Sequence, residues 1–156
     1  MIVIEAARKK PLPGLRALGK RDLNRFISSA MEALRLTGEF SVLLTGDERL
    51  RALNLQFRGI DKPTDVLSFP SLAETQEDAP GGDLAISLDT AWAQARDHGH
   101  SLQTELKVLI LHGLMHLAGY DHEQDQGQMR RRETRLRKQF LLPAGLVERT
   151  ARSPRS

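Results

Sequence analysis

The sequence predicts a single α+β domain: a mixed β-sheet of about four strands packed with about five helices, carrying a metal site on a central helix. Two observations predict it. Short runs rich in Val, Ile and Leu, bounded by Gly and Pro, alternate with segments whose apolar residues recur at helical spacing. One such segment, Leu102 to Leu117, is apolar on nearly every face, as befits a helix buried at the centre of a domain. At 156 residues, 40% hydrophobic and 28% charged, the chain can bury one core but not two, and no repeat or linker divides it. The folded unit is expected over residues 1–145, with a basic, disordered tail at 146–156.

Met1–Glu5 reads as the first strand, and a basic loop containing Pro and Gly runs to Gly19. Leu23, Phe26, Ile27, Ala30 and Leu34 then recur at helical spacing behind Asp22, a candidate N-cap. Glu39–Thr45 is a second strand. Asp47 opens a short helix on which Leu50, Leu53 and Phe57 form one stripe. Arg58–Thr64 is a loop, and Asp65–Phe69 a third strand stopped by Pro70. An acidic, turn-rich surface loop is expected over Leu72–Gly82, a fourth strand over Asp83–Ser87 and a helix over Thr90–Asp97, with Trp92 in the core. Ser101 can cap the central helix, which runs to about Ala118, and a last helix covers about Gln124–Phe140.

The chemistry is concentrated in His112-Gly-Leu-Met-His116-Leu-Ala-Gly119-Tyr-Asp-His122, which holds three of the five histidines. Residues four apart lie one turn apart on a helix, so His112 and His116 can aim at one point. Gly119 can adopt a left-handed conformation and turn the chain back to deliver His122. Three histidines leave the fourth position of one Zn2+ ion open, the pattern of catalytic zinc; a structural zinc with Asp121 as fourth ligand is the alternative. The spacing matches the zinc-protease pattern H-E-x-x-H-x-x-G-x-x-H, except that Gly113 stands where those enzymes carry the glutamate base. That departure points to a hydrolase in which metal-held water or the substrate itself supplies the nucleophile.

Other classes are narrowed by what is missing. No apolar run approaches the ~20 residues of a membrane span, and Met1–Glu5 lacks the features of a signal peptide. With no cysteine there is neither a disulfide framework nor a thiolate site, which fits a reducing cytoplasm. The net charge of +3 is unevenly spread: residues 1–25 hold seven Lys/Arg and two acids, and residues 129–156 hold nine and two. Basic ends around an acidic centre point to a polyanion, nucleic acid first; a solvated helix face and a disordered tail would give the same pattern.

Three blocks in order then carry a resemblance. Asn54–Pro70 (Asn-Leu-Gln-Phe-Arg58-Gly-Ile-Asp-Lys-Pro-Thr-Asp-Val-Leu-Ser-Phe-Pro), Gly82–Ser87, and Gly99-His100-Ser101 with Glu105 and the histidine string resemble the YbeY family of bacterial endoribonucleases from about Ser41 to Asp125. The resemblance implies a metal-dependent enzyme, commonly a zinc one, in ribosomal RNA processing (especially at the small-subunit 3′ end) and ribosome quality control. It also implies His112, His116 and His122 as metal ligands and Arg58 as the functional arginine. A guanidinium there fits the chemistry, because RNA cleavage builds negative charge on phosphate oxygens that arginine grips in pairs. Asp121 is a candidate to orient a ligand histidine through its free ring nitrogen, and His100 to stand behind the ligands or face substrate. His98 is expected in solvent and Glu105 in a structural salt bridge. Two departures are Met115, where leucine is usual, and an unusually Arg-rich last helix.

The reading is therefore a zinc-dependent, single-strand-specific endoribonuclease with one Zn2+ per chain. Its expected partners are single-stranded or ribosomal RNA and the ribosomal small subunit, in the cytoplasm, with no membrane. Two rivals stand beside it: a ribosome-assembly RNA-binding factor whose zinc is structural, and a metallopeptidase-like hydrolase opposed by Gly113.

Overall fold

The computed structural model describes residues 1–5, 12–70 and 81–152. Its elements are β1 (Ile2–Ile4), α1 (Lys20–Leu34), β2 (Phe40–Thr45), α2 (Asp47–Arg58), β3 (Val66–Pro70), β4 (Gly82–Ser87), α3 (Leu88–His98), α4 (Leu102–Leu117), α5 (Gln128–Gln139) and α6 (Leu146–Arg152). The acidic loop expected at 72–82 lies outside the described residues except for its last two positions.

The four strands make one mixed sheet in the order β1-β2-β4-β3. β1, β2 and β4 run parallel, and β3 returns antiparallel along β4 as an edge strand. Pro70 is tolerated there because an edge strand has one side with no ladder to complete. The alternation of the strands divides the core. Val42, Leu44, Leu84 and Ile86 face the large cluster built with α1 and α4, whereas Leu67 and Ala85 face a smaller one built with Leu50 and Leu53 of α2. The sheet is thus covered on both faces, as its parallel part requires.

Helix α4 buries eleven of its sixteen residues and lies across the sheet, matching its all-round apolar character. Ser101 caps it, accepting from Thr104 N–H at 3.1 Å. At the closest approach the helix carries Gly113. A Cβ there would stand 2.6 Å and 2.9 Å from the two methyl groups of Leu84, a residue with 1% exposure. The glycine lets the helix rest directly on β4.

Several expectations are corrected. Helix α1 starts at Lys20 with Gly19 as N-cap. Asp22, read as the cap, lies inside the helix, and its carboxylate takes Lys107 Nζ at 2.7 Å and Gln103 Nε2 at 3.1 Å. Arg58 ends α2 rather than opening a loop, and Gly59 caps that helix in the left-handed conformation (φ 70°). Helix α5 begins at Gln128, not Gln124, because Asp121–Asp125 form turns. Trp92, expected in the core, is 39% exposed: its ring packs on the Gly14 turn and leaves one side in solvent.

The largest correction is α6. Residues 146–152, read as the start of a disordered tail, form a sixth helix. Val147 is in the core. Arg149 gives two 2.8 Å hydrogen bonds to buried Glu105, and Glu148 accepts from Arg137 at 2.6 Å. These partners lie 11 to 44 residues away in the chain, so no local pattern announces them.

Candidate metal centre

The end of α4 presents His112 and His116 one turn apart, with their Nε2 atoms 3.0 Å from each other. Each ring is fixed from behind. His112 Nδ1 lies 3.3 Å from the Glu133 carboxylate of α5, and His116 Nδ1 lies 3.0 Å from the Tyr120 carbonyl. Both backing atoms are acceptors, so each Nδ1 carries the proton and each Nε2 turns a lone pair towards the other. Two lone pairs at that distance repel unless a cation sits between them. A second proton is disfavoured, since burial first, and the neighbouring His112 second, push the His116 pKa below its ordinary value.

Gly119 adopts the left-handed conformation expected of it (φ 99°), and the chain turns back through Tyr120. The ring of His122 arrives with its centroid 6.0 Å from each of the other two, which are 4.6 Å apart. Its Nδ1 is buried and, among the described residues, has no hydrogen-bond partner. Metal–nitrogen bonds of about 2.0–2.1 Å in a tetrahedron hold ligand nitrogens about 3.3 Å apart. The His112–His116 pair is near that spacing. Among the described residues no set of three His, Asp or Glu side chains is already drawn into a shell, so the pair is preformed and His122 stands off from it. Facing lone pairs and an orphaned ring nitrogen make this donor set fit a divalent cation.

These histidines open into a groove of about 560 Å³, lined also by Arg58, Thr64, Asp65, Ser68, Pro70 and Tyr120. Arg58 is exposed and, among the described residues, forms no ion pair. The turn after it is held by Arg51, bidentate to Asp61 at 2.6 and 3.1 Å, and by Asn54 Nδ2 on the Lys62 carbonyl at 2.9 Å. Edge strand β3 thus forms one wall, α4 and its exit turn the other. The groove places the Arg58 guanidinium beside three imidazoles.

The pattern matched by the model "Endoribonuclease YbeY" spans residues 15–141. The chain belongs to the YbeY endoribonuclease family. It is 46% identical over 144 residues to "Endoribonuclease YbeY" of Koribacter versatilis, covering 92% of this chain and 90% of that one. The Solibacter usitatus protein of the same name is 48% identical over 128 residues, 81% of this chain and 83% of its own. The solution structure of TM1509 from Thermotoga maritima superposes with a TM-score of 0.55 at 27% identity, covering 88% of each chain.

Within this YbeY fold the other expected residues fall out differently. Asp121 lines the groove, but its carboxylate folds back to accept from Glu123 N–H at 3.1 Å and so shapes the turn that carries His122. It contacts no ring nitrogen; Glu133 and the Tyr120 carbonyl back the rings instead. His100 lies away from the groove, bonded to Glu105 at 2.6 Å, and His98 is exposed. Glu105 makes the structural salt bridge expected of it, with Arg149 as partner.

Sequence reasoning missed Glu133, which is 1% exposed. One of its oxygens faces His112, and the other accepts from Val147 N–H at 3.0 Å. The signal was a single acid inside the basic run Arg130-Arg-Arg-Glu-Thr-Arg135. Gly113 also gains a reason. A glutamate there would collide with Leu84, so this YbeY packing excludes the peptidase base by shape as well as by sequence.

Proposed function

We propose that this chain is a zinc-dependent, single-strand-specific endoribonuclease of ribosomal RNA processing, acting in the cytoplasm on the small-subunit 3′ end and in ribosome quality control. Its relatives bear the name endoribonuclease. One observation supports the metal reading above all: two buried-side imidazoles whose Nε2 lone pairs face each other at 3.0 Å while both Nδ1 atoms are engaged behind them. His112, His116 and His122 would hold the ion. When bound, zinc supplies Lewis-acid stabilisation of charge developing on a phosphoryl oxygen and makes a nearby oxygen nucleophile easier to deprotonate.

The protein's own groups do the rest. Among the described residues Arg58 forms no ion pair, and its guanidinium can grip two phosphate oxygens and oppose charge that grows during cleavage. Ser68 Oγ donates to the Gly113 carbonyl at 3.3 Å and pins β3 to α4, fixing the width of the groove. Asp65 accepts from Val66 N–H and Gln94 and is therefore a structural carboxylate. An open groove walled by an edge strand admits an extended single strand more readily than a duplex.

The test is cleavage of end-labelled single-stranded RNA by zinc-loaded protein beside identically purified His116→Ala and Arg58→Ala variants. Cutting by the wild type alone supports the reading, and a 2′,3′-cyclic phosphate end would identify the ribose hydroxyl as nucleophile. Equal cutting by all three, or by none, overturns it in favour of an RNA-binding assembly factor with a structural zinc.

A further inference from the structure

Helix α5 carries six basic residues, and one of them, Arg131, donates to the Gln126 carbonyl of the preceding turn at 3.3 Å. Arg132 donates to the Ala33 carbonyl at 2.7 Å, and Arg137 pairs with Glu148 at 2.6 Å. Arg130, Arg131 and Arg135, with Thr134 and Gly127, instead line a second groove of about 730 Å³. The three arginines are exposed, and among the described residues none makes an ion pair. Lys138, also exposed, continues the same helix face one turn on. The helix's single acid, Glu133, is buried on the opposite side behind His112.

A merely solvated helix face mixes both signs at three- and four-residue spacing, because opposite charges there stabilise a helix and like charges destabilise it. Arg131 and Arg135 stand at that spacing, and the one acid between them in sequence, Glu133, is buried on another face of the helix. The face therefore works against its own helix. Its position suggests what offsets this: Glu123 lines the metal groove, Gly127 lines the arginine groove, and Asp125 holds the intervening turn through Gly127 N–H at 2.8 Å and Met129 N–H at 2.9 Å. The two grooves thus adjoin across one short turn.

We propose that the arginine face of α5 is a docking track for the phosphate backbone of single-stranded RNA on one side of the scission site. The inference rests on the endoribonuclease reading of the metal groove. It assigns Arg130, Arg131 and Arg135 to binding of substrate length beyond that groove, with no part in bond cleavage. Phosphate contacts of this kind give affinity without sequence preference and a steep salt dependence.

The experiment compares the wild type with Arg130→Gln/Arg131→Gln/Arg135→Gln and with Arg130→Lys/Arg131→Lys/Arg135→Lys. Affinity is read by fluorescence anisotropy, and cleavage by KM and kcat, on a short RNA that fills only the metal groove and on a longer one. For the longer RNA the glutamine variant loses affinity and its KM rises, while kcat and all values for the short RNA stay at the wild-type level. The slope of log affinity against log salt becomes shallower by about 2, at roughly 0.7 per phosphate contact on a single strand. The lysine variant keeps most of the affinity, since charge rather than shape is being read. Unchanged long-RNA affinity and slope in the glutamine variant, or an equal loss on both RNAs, overturns the proposal. A wild type that binds long RNA without cutting any sinks the nuclease reading and leaves the arginine track standing.

Discussion

Replacing Glu133 by Gln changes one atom and sets its two tasks against each other. The carboxylate uses one oxygen for His112 Nδ1–H and the other for Val147 N–H. An amide has one acceptor and one donor, so it can serve one of these groups and must oppose the other. If its oxygen stays with Val147, its NH₂ faces His112, which relieves the clash by moving its proton to Nε2. A protonated Nε2 cannot ligate. Loss of such a backing group costs about 10- to 100-fold in metal affinity, or about 1.4–2.7 kcal/mol. The metal-free protein should lose at most about 1 kcal/mol, because the switched tautomer lets His112 Nδ1 accept from the amide. Zinc competition against a chromophoric chelator reads the first quantity and urea unfolding the second, while imidazole ¹⁵N shifts report the tautomer of His112. Wild-type zinc affinity together with an Nδ1-protonated His112 in the variant would refute the reasoning.

Other perturbations separate effects that the structure keeps distinct. Gly113→Ala gains about 1 kcal/mol of helix propensity but overpacks Leu84 at about 1–3 kcal/mol, so a net fall in the urea midpoint is expected, and a rise would show that the helix can lift off β4. Gly119→Ala strains a residue held at φ 99° by about 1–2 kcal/mol; zinc affinity should drop more than stability, because His122 is displaced, and equal losses would argue against that coupling. For Glu105, burial acts to raise the pKa, but hydrogen bonds and charge from Arg149 and His100 outweigh it and hold the group below its ordinary value. Its stabilisation is therefore present at neutral pH and is lost as pH falls through the carboxylate range. Arg149→Ala leaves that buried charge without its main partner, at a cost of about 3–5 kcal/mol; the deficit against wild type should shrink towards pH 4, and a pH-independent deficit would contradict this.

The sheet and the central helix were legible because their signals are local. Strand alternation, the Ser101 cap and the all-round apolar character of α4 need only neighbouring residues. The histidine pair was legible for the same reason: four residues make one turn. What escaped depends on distant partners. Glu133 serves His112 and α6 from 21 and 14 residues away, and α6 itself is short, basic and stabilised by acids elsewhere in the chain. Asp22 and Asp121 look like a cap and a histidine partner in sequence, yet each was claimed by a closer geometric demand: Asp22 by Lys107 on a neighbouring helix, Asp121 by its own turn.

The two imidazoles of α4 differ in when they can be set. His116 is held by a carbonyl four residues along its own chain, so its orientation is available as soon as the helix and its exit turn exist. His112 waits for Glu133, and that carboxylate is itself tied to the start of α6. Along a chain emerging from its N-terminus, the sheet and α4 can assemble well before residue 147 arrives. A nascent or prematurely ended chain would hold the whole histidine string with one ring still free to turn. The orientation of His112 is thereby tied to completion of the C-terminal helix, whereas that of His116 is not.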